Sequence, residues 1–171
     1  MIRVRRIQPT DGPLLRATRL AALADSPGDS TTTLAKNEAH PAEHWDRAAA
    51  ANAVGASQAT FFATRDAGPE VVGMIGAYVM SDGTATMVGL WSAPGHRDVG
   101  VGDALVDAVI EWAGRGGAER ARLWIVERNE FARRFYESKG FVATGESMPY
   151  EPHPSIQQVE MALPLGDVTA S

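Results

Sequence analysis

Cysteine is absent from this sequence of 171 residues. Its absence excludes a disulfide framework, a zinc site built on thiolates and a cysteine nucleophile. A chain without disulfides is compatible with a reducing compartment, and we therefore expect a cytoplasmic protein. We also expect no metal site.

Positive charge and long apolar runs are scarce as well. The net charge is −5, and no run of lysine or arginine offers a footprint for nucleic acid. No apolar run approaches the length that spans a membrane, and the first residues lack the apolar segment of a secretory signal. We therefore expect neither nucleic acid nor a membrane as a partner. The two lysines, Lys36 and Lys139, stand among many arginines, alanines and glycines, which is typical of a GC-rich bacterial genome.

The remaining composition is that of an ordinary globular protein. Hydrophobic residues make up 44% of the chain and charged residues 22%. The length suits one domain and is short for two. We therefore predict a single domain over residues 1–171, in which residues 166–171 form a disordered tail.

Two kinds of periodicity divide the chain. Alternation of apolar and polar residues, bounded by turn signals, predicts strands at 2–7, 60–64, 71–80 and 84–92. Helical spacing in the same half predicts one helix after Thr10–Pro13 and another over about 41–53, whereas residues 26–40 are too weakly patterned to assign.

The second half alternates between the two patterns. It predicts helices over 101–113 and 129–138, and strands at 121–126, 141–147 and 156–163, with a proline-stiffened loop at 148–154. Strands followed by a β-α-β-α-β-β order favour an α/β fold, with a mixed sheet and helices on its faces.

The most informative stretch is the loop between the strand that ends at Ser92 and the helix that begins near Val101. It carries Gly95, Gly100 and Gly102. Backbone N–H groups at a helix start have no partner within the helix, and together with the helix dipole they attract an anion. Glycines let a phosphate approach the backbone closely. A plain connection that uses glycines only for turning fits equally well.

Two sharper nucleotide motifs are excluded. A P-loop requires Gly-Lys-Ser/Thr, which is absent here. A dinucleotide fingerprint requires a glycine or alanine where this chain has Leu105.

The spacing Arg97-x-x-Gly100-x-Gly102 resembles the acyl-CoA signature of GNAT acetyltransferases, Arg/Gln-x-x-Gly-x-Gly/Ala. A second block at the distance usual in that family runs from Asn129 through Tyr136 to Phe141. The resemblance covers about residues 70–163. It implies a mixed, mostly antiparallel sheet of six to seven strands, splayed into a V between the fourth and fifth, with about four helices.

The resemblance also implies which residues bind acetyl-CoA as cosubstrate. Pantetheine would pair with the backbone of the fourth strand, and the diphosphate would rest on the amides that follow the loop. The cofactor-binding residues implied in this way are Leu90, Trp91, Ser92, Arg97, Asp98, Val99, Gly100, Val101, Gly102, Asp103 and Asn129.

Acetyl transfer to an amine also requires proton chemistry. The resemblance implies that Tyr136 gives a proton to the leaving CoA thiolate, although its spacing also suits a core aromatic. Asn129 can cap its helix as well as contact CoA. A backbone N–H near Trp91 would stabilise the thioester oxygen.

The chain departs from the family in two places. Many members carry Gly-Lys or Gly-Arg where this chain has Asp98-Val99, so a negative charge stands beside the expected diphosphate. His96 reads as a solvated loop residue. Many members also place a glutamate on the fourth strand, which here has no acid. Glu127, Glu151 and His153 are candidates for the general base, and a water chain would need none of them.

These observations predict an N-acetyltransferase that acts on a primary amine of a small molecule or peptide. The alternative is an acyl-CoA-binding or regulatory module that has lost catalysis. A purely structural domain ranks last. Tyr150 and His153 could line the acceptor pocket, whereas Trp45 is expected in the core. The sequence leaves the acceptor open, as it does a homodimer.

Overall fold

A computed structural model describes residues 1–27, 32–66 and 68–166. Within these ranges one seven-stranded sheet carries five helices. The strands are β1 (Ile2–Arg6), β2 (Gln58–Arg65), β3 (Val71–Val79), β4 (Thr84–Ser92), β5 (Arg120–Val126), β6 (Val142–Tyr150) and β7 (His153–Pro164). The helices are α1 (Gly12–Asp25), α2 (Leu34–Glu38), α3 (Ala42–Asn52), α4 (Val101–Arg115) and α5 (Glu130–Ser138). Apart from Gly166, the predicted tail lies outside the described residues.

The sheet is open between its fourth and fifth strands. The strand order is β1-β2-β3-β4-β5-β7-β6, and only β4 and β5 run parallel. These two strands pair at three positions, of which the last is Thr86 with Arg122. Beyond it β5 continues to pair with β7, while the outer half of β4 stays with β3. The predicted V-shaped, mostly antiparallel sheet is confirmed.

Helices cover the two faces of the sheet through separate apolar clusters. On one face α4 packs Leu105 and Val109 against a cluster that includes Ile75 and Met87. On the other face Trp45 belongs to a cluster with residues of α1, β2 and β3, and only 4% of its surface is exposed. Burying each large apolar side chain contributes about 1.5–3 kcal/mol to folding. The expectation that Trp45 is a core residue is confirmed.

The predicted loop at 148–154 is wrong. β6 and β7 extend through this stretch as a hairpin whose turn consists of Glu151 and Pro152. The prolines in this stretch led to the loop prediction, because proline has no backbone N–H to donate to a neighbouring strand. Pro149 is tolerated because β6 is an edge strand, and Pro154 lies beyond the part of β7 that pairs with β5. Along their outer ends β6 and β7 are a two-stranded ribbon, which leaves half of the N–H positions without a neighbour to bond.

The short helix α2 lies in the stretch that the sequence left unassigned. Its five residues are too few for periodicity to appear. Thr33 caps the helix, because its side-chain oxygen accepts a 3.2 Å hydrogen bond from the N–H of Lys36. Among the described residues, no helix is long and apolar enough to cross a membrane.

Candidate active site

A β-bulge bends β4 at the mouth of the V. Met74 opposes Trp91 and Gly76 opposes Val88, so Gly89 and Leu90 together oppose Ile75. Gly89 has a φ of 66°, a left-handed conformation that glycine adopts without steric cost. A bulge breaks the regular ladder and turns the strand. It therefore changes the direction of the backbone at Leu90–Ser92, where the resemblance places pantetheine.

The bulge also sends neighbouring side chains to opposite faces of the sheet. Leu90 packs against the cluster beneath α4. The indole of Trp91 reaches the end of α1 on the other face. A cavity of about 60 Å³ lies there, between α1 and the bulge, and Ala22, Leu23 and Ser26 form part of its wall.

The start of α4 leaves backbone N–H groups open to solvent. Gly100 is the N-cap residue, with a φ of 89°, and its carbonyl accepts the first helical bond, from Ala104. The amides of the first turn therefore have no partner within the helix. A Cβ added at Gly100 would meet no atom within 4 Å, so the space above the helix start is open. Helix starts with free amides are places where proteins bind anions, so this position is a candidate phosphate site.

Gly102 serves a different contact. A Cβ there would lie 3.3 Å from the ring of Phe135 in α5. The glycine thus lets α5 approach the first turn of α4. The family spacing gives no sign of this packing role, because it becomes visible only when the two helices are placed side by side.

The arginine of the motif is held by an aspartate that the sequence analysis missed. Arg97 donates from Nε to the carbonyl of Ser92 at 3.2 Å, and its guanidinium forms an ion pair with Asp25 at the end of α1. Trp91 Nε1 donates to the same carboxylate at 3.0 Å. The hydrogen bond from Trp91 and the charge of Arg97 lower the pKa of Asp25 below its usual value. No local pattern links residues that lie 72 positions apart.

The other loop residues are placed as follows. Asp98 and Val99 are exposed, and Val101 is buried at the helix start. Asp103 lies in the first turn of α4, 3.3 Å from Lys139 Nζ. The expectation for His96 is wrong in part, because its Nδ1 is shielded from solvent and has no hydrogen-bond partner among the described residues.

Tyr136 is the buried residue of α5 and packs in the core cluster with residues of the sheet. Its exposed fraction is 8%, and its ring meets Phe135 and Phe141 edge-on at centroid distances of 5.0 and 5.7 Å. Burial raises the pKa of its hydroxyl well above the ordinary value. The expected cap of α5 is confirmed, since Asn129 Oδ1 accepts from the N–H of Ala132 at 3.1 Å. Packing and proton donation are compatible roles for Tyr136.

The candidate bases lie near the outer end of the sheet. Glu127 follows β5, is exposed, and borders a surface cavity of about 240 Å³ with Ser155 and Gln157. Glu151 is exposed in the hairpin turn. His153 is exposed beside Tyr150, which is itself buried. Among the residues that the structure describes, no three His, Asp or Glu side chains could hold a metal ion together.

Comparisons with known proteins agree with this geometry. The sequence model of the acetyltransferase (GNAT) family matches residues 22–141. No curated protein matches the chain.

Solved structures share the whole fold. A GNAT-family acetyltransferase from Streptococcus pneumoniae superposes with a TM-score of 0.82 at 19% identity, over 97% of this chain and 100% of that one. The yncA protein of Salmonella typhimurium, solved with acetyl-CoA, gives 0.76 at 17% identity, over 100% and 98%. The ribosomal-protein-S18-alanine N-acetyltransferase of Escherichia coli gives 0.67 at 19% identity, over 100% and 98%. At these identities the likeness shows the fold alone.

Proposed function

The chain belongs to the GNAT acetyltransferase family, whose members use acetyl-CoA, and we propose that it is an N-acetyltransferase acting on a primary amine. The main support for this proposal is that the opening of the sheet and the open helix start both adjoin β4. The V between β4 and β5 begins where Thr86 and Arg122 stop pairing, and the open helix start at Gly100 follows the same strand.

Acetyl-CoA binds mainly to main-chain groups of the protein. The amides from Asp98 to Asp103 take the diphosphate, since the helix start lacks internal acceptors for its N–H groups. The backbone of Leu90–Ser92 pairs with pantetheine, because β4 no longer pairs with β5 beyond Thr86 and this edge of the strand is open. Asn129, which caps α5, contacts CoA from the opposite arm of the V.

The chemical step is direct attack. The neutral amine nitrogen adds to the thioester carbonyl, a backbone N–H near Trp91 stabilises the oxyanion, and the C–S bond then breaks. Tyr136 gives its proton to the departing sulfur. Burial raises the pKa of Tyr136, so the hydroxyl remains protonated throughout the neutral range. Glu127, exposed at the end of β5, accepts the proton that the amine releases.

The acceptor is a small molecule or a peptide amine. The S18-alanine N-acetyltransferase shares the fold, and its name describes transfer to nitrogen. A net charge of −5 suits a cationic amine that approaches from solution. We place the reaction in the bacterial cytoplasm, without nucleic acid or a membrane as partner.

Two observations favour the second candidate, an acyl-CoA-binding or regulatory module. Asp98 puts a negative charge in the loop that receives the diphosphate, and β4 carries no acid to act as a base. Such a module would bind acetyl-CoA without turnover.

Two measurements together distinguish these functions. Release of CoA from acetyl-CoA is followed across a panel of small amines, amino acids and peptide N-termini, and acetyl-CoA binding is measured by calorimetry on the same preparation. We expect binding with turnover on at least one amine class. Binding without turnover supports the module, and absence of both overturns the proposal. A folded Gly100→Val variant is the control, because a branched side chain at the helix start should abolish binding.

A further inference from the structure

We propose that Asp25 is a positioning residue that holds the acyl-CoA loop in its binding form by clamping Arg97 and Trp91 to the end of α1. The inference rests on the proposed acetyl-CoA site and adds to it a residue from outside the family motif. We call Asp25, Trp91 and Arg97 the clamp.

The clamp joins three elements that are remote in sequence. Asp25 is the last residue of α1, Trp91 lies just beyond the β4 bulge, and Arg97 lies in the loop that leads to α4. One carboxylate oxygen of Asp25, Oδ2, accepts from both Trp91 Nε1 and the Arg97 guanidinium. Arg97 also bonds to the carbonyl of Ser92. The loop is therefore fixed at both the strand end and its middle.

The clamp gives Arg97 a task that differs from simple charge neutralisation. Its Nε and Nη2 atoms are directed to Ser92 and Asp25. The loop that it holds contains Asp98, whose left-handed φ of 63° costs energy in a residue other than glycine and is maintained by the surrounding structure. Release of Arg97 would let this loop relax and would misplace the amides at the start of α4.

A role as general base fits Asp25 poorly. The hydrogen bond from Trp91 and the charge of Arg97 lower its pKa, so the carboxylate is a weak proton acceptor at neutral pH. The same contacts favour a fixed, charged carboxylate. Asp25 therefore acts through the loop and does not need to touch the reacting atoms.

Removal of the Asp25 carboxylate tests the clamp, because positioning and electrostatics predict opposite changes in acetyl-CoA affinity. Asp25 is an anion near the site proposed for the diphosphate, so electrostatics alone predicts that its removal tightens acetyl-CoA binding. Positioning predicts the opposite. Asp25→Asn retains an oxygen that can accept from Trp91 but loses the ion pair with Arg97, whereas Asp25→Ala loses both contacts.

We expect acetyl-CoA affinity to fall about two- to fivefold in Asp25→Asn and further in Asp25→Ala. Glu43→Gln is the matched control, since it removes one exposed carboxylate from the same helical layer. Affinity in the control should equal that of the parent protein. Arg97→Ala and the Asp25→Ala/Arg97→Ala double variant complete a cycle, in which the double variant should lose no more affinity than Arg97→Ala alone.

A spectroscopic readout separates the clamp from general damage. Binding affinities are linked reciprocally, so acetyl-CoA must strengthen the clamp if the clamp strengthens acetyl-CoA binding. The indole N–H of Trp91 should therefore exchange more slowly with solvent when acetyl-CoA is added to the parent protein. Tighter binding in Asp25→Asn, additive losses in the cycle, or unchanged indole exchange would overturn the clamp. Failure of the parent protein to bind acetyl-CoA would instead overturn the proposed function.

Discussion

Asp98 and Gly100 both adopt left-handed backbone conformations just ahead of α4, with φ values of 63° and 89°. The first of these explains the departure of this loop from the family pattern. Many GNAT members carry glycine where this chain has Asp98, and glycine adopts such a conformation without cost. Aspartate is one of the few other residues that tolerates it, because its short side chain can bond locally. The position therefore constrains backbone shape, and aspartate satisfies that constraint while adding a charge.

Charge and backbone shape at residue 98 can be separated by substitution. Asp98→Asn keeps the tolerance for positive φ and removes only the charge. We expect it to tighten acetyl-CoA binding by up to about fivefold, equivalent to ~1 kcal/mol in a solvated loop. The gain should shrink as salt is raised, since exposed charges are screened. Isothermal calorimetry at low and high salt measures both effects.

Two further variants at the same position serve as controls. Asp98→Gly should match Asp98→Asn in affinity, and Asp98→Lys should bind at least as tightly. Lysine in a left-handed conformation should also lower the free energy of unfolding by about 1–2 kcal/mol. Weaker binding in both Asp98→Asn and Asp98→Gly would show that the carboxylate supports the loop and does not oppose the ligand.

The phosphate site can be tested at Gly100 with a control in the same loop. Alanine at Gly100 places a Cβ in the open space above the helix start, where phosphate oxygens are expected. We expect acetyl-CoA affinity to fall more than tenfold, with about 1–2 kcal/mol of left-handed strain in addition. Gly95→Ala carries the same strain, since its φ is 84° and its Cβ would also meet no atom within 4 Å.

Affinity and thermal unfolding of the two alanine variants should therefore diverge. Similar melting temperatures combined with a loss of affinity confined to Gly100→Ala would support a phosphate site at the helix start. Equal losses of affinity in both variants would mean that loop strain alone is responsible. Gly102→Ala is a poorer test, because its Cβ would press on Phe135 and change the packing of α5.

The sequence predicted the parts of the fold that depend on local residue patterns. β4 has the predicted bounds, and α4 begins at Val101 as expected, since its apolar spacing and flanking glycines are strong signals. Both β6 and β7 were predicted as strands, but their outer ends were assigned to a loop, because prolines obscure a strand that tolerates them only at an edge. That tolerance depends on the neighbours of the strand in the sheet, which no local pattern contains.

The site was predictable to the same extent. The Gly100 turn and the Asn129 cap follow from spacing and residue type. Asp25 was invisible because it meets Arg97 only after α1 packs across the sheet. The second role of Gly102 also depends on the placement of α5. The sequence alone therefore did not predict which residues distant in the chain contact the motif.

A buried ion pair at the closed end of the V should be important for stability. Glu160 is 4% exposed and accepts from Arg122 Nη1 at 3.0 Å, while Arg122 Nε donates to Thr86 across the last paired position of β4 and β5. Glu160→Leu would leave the guanidinium without this partner. We expect a loss of about 3–5 kcal/mol in the free energy of unfolding, measured in urea.

The same substitution in an exposed pair provides the comparison. Glu111 and Arg115 form an i,i+4 pair on α4 with side chains 63% and 79% exposed, so Glu111→Leu should change stability by less than about 1 kcal/mol. An Arg122→Met/Glu160→Leu double variant should recover much of the lost free energy of unfolding, because it leaves no desolvated charge without a partner. Equal effects of Glu160→Leu and Glu111→Leu would show that the buried pair is not important.

Tyr136 provides the last test, because its ring and its hydroxyl have separate roles. Tyr136→Phe keeps the contacts with Phe135 and Phe141 and removes only the proton donor. A free phenol has a pKa of about 10, and burial raises the pKa of Tyr136 further, so the donor form persists from acid to mildly alkaline pH. Protonation of the leaving sulfur matters in the transition state, so kcat should fall about 10²-fold while KM changes little. Because the pKa of Tyr136 is raised, any decline in rate that the parent protein shows below pH 9 should also appear in Tyr136→Phe. Steady-state kinetics on an active amine, with single-turnover runs that confirm chemistry as the slow step, measure both quantities, and thermal unfolding checks that the core is intact. If Tyr136→Phe retains full kcat under those conditions, Tyr136 is a packing residue and the proton comes from solvent or another side chain.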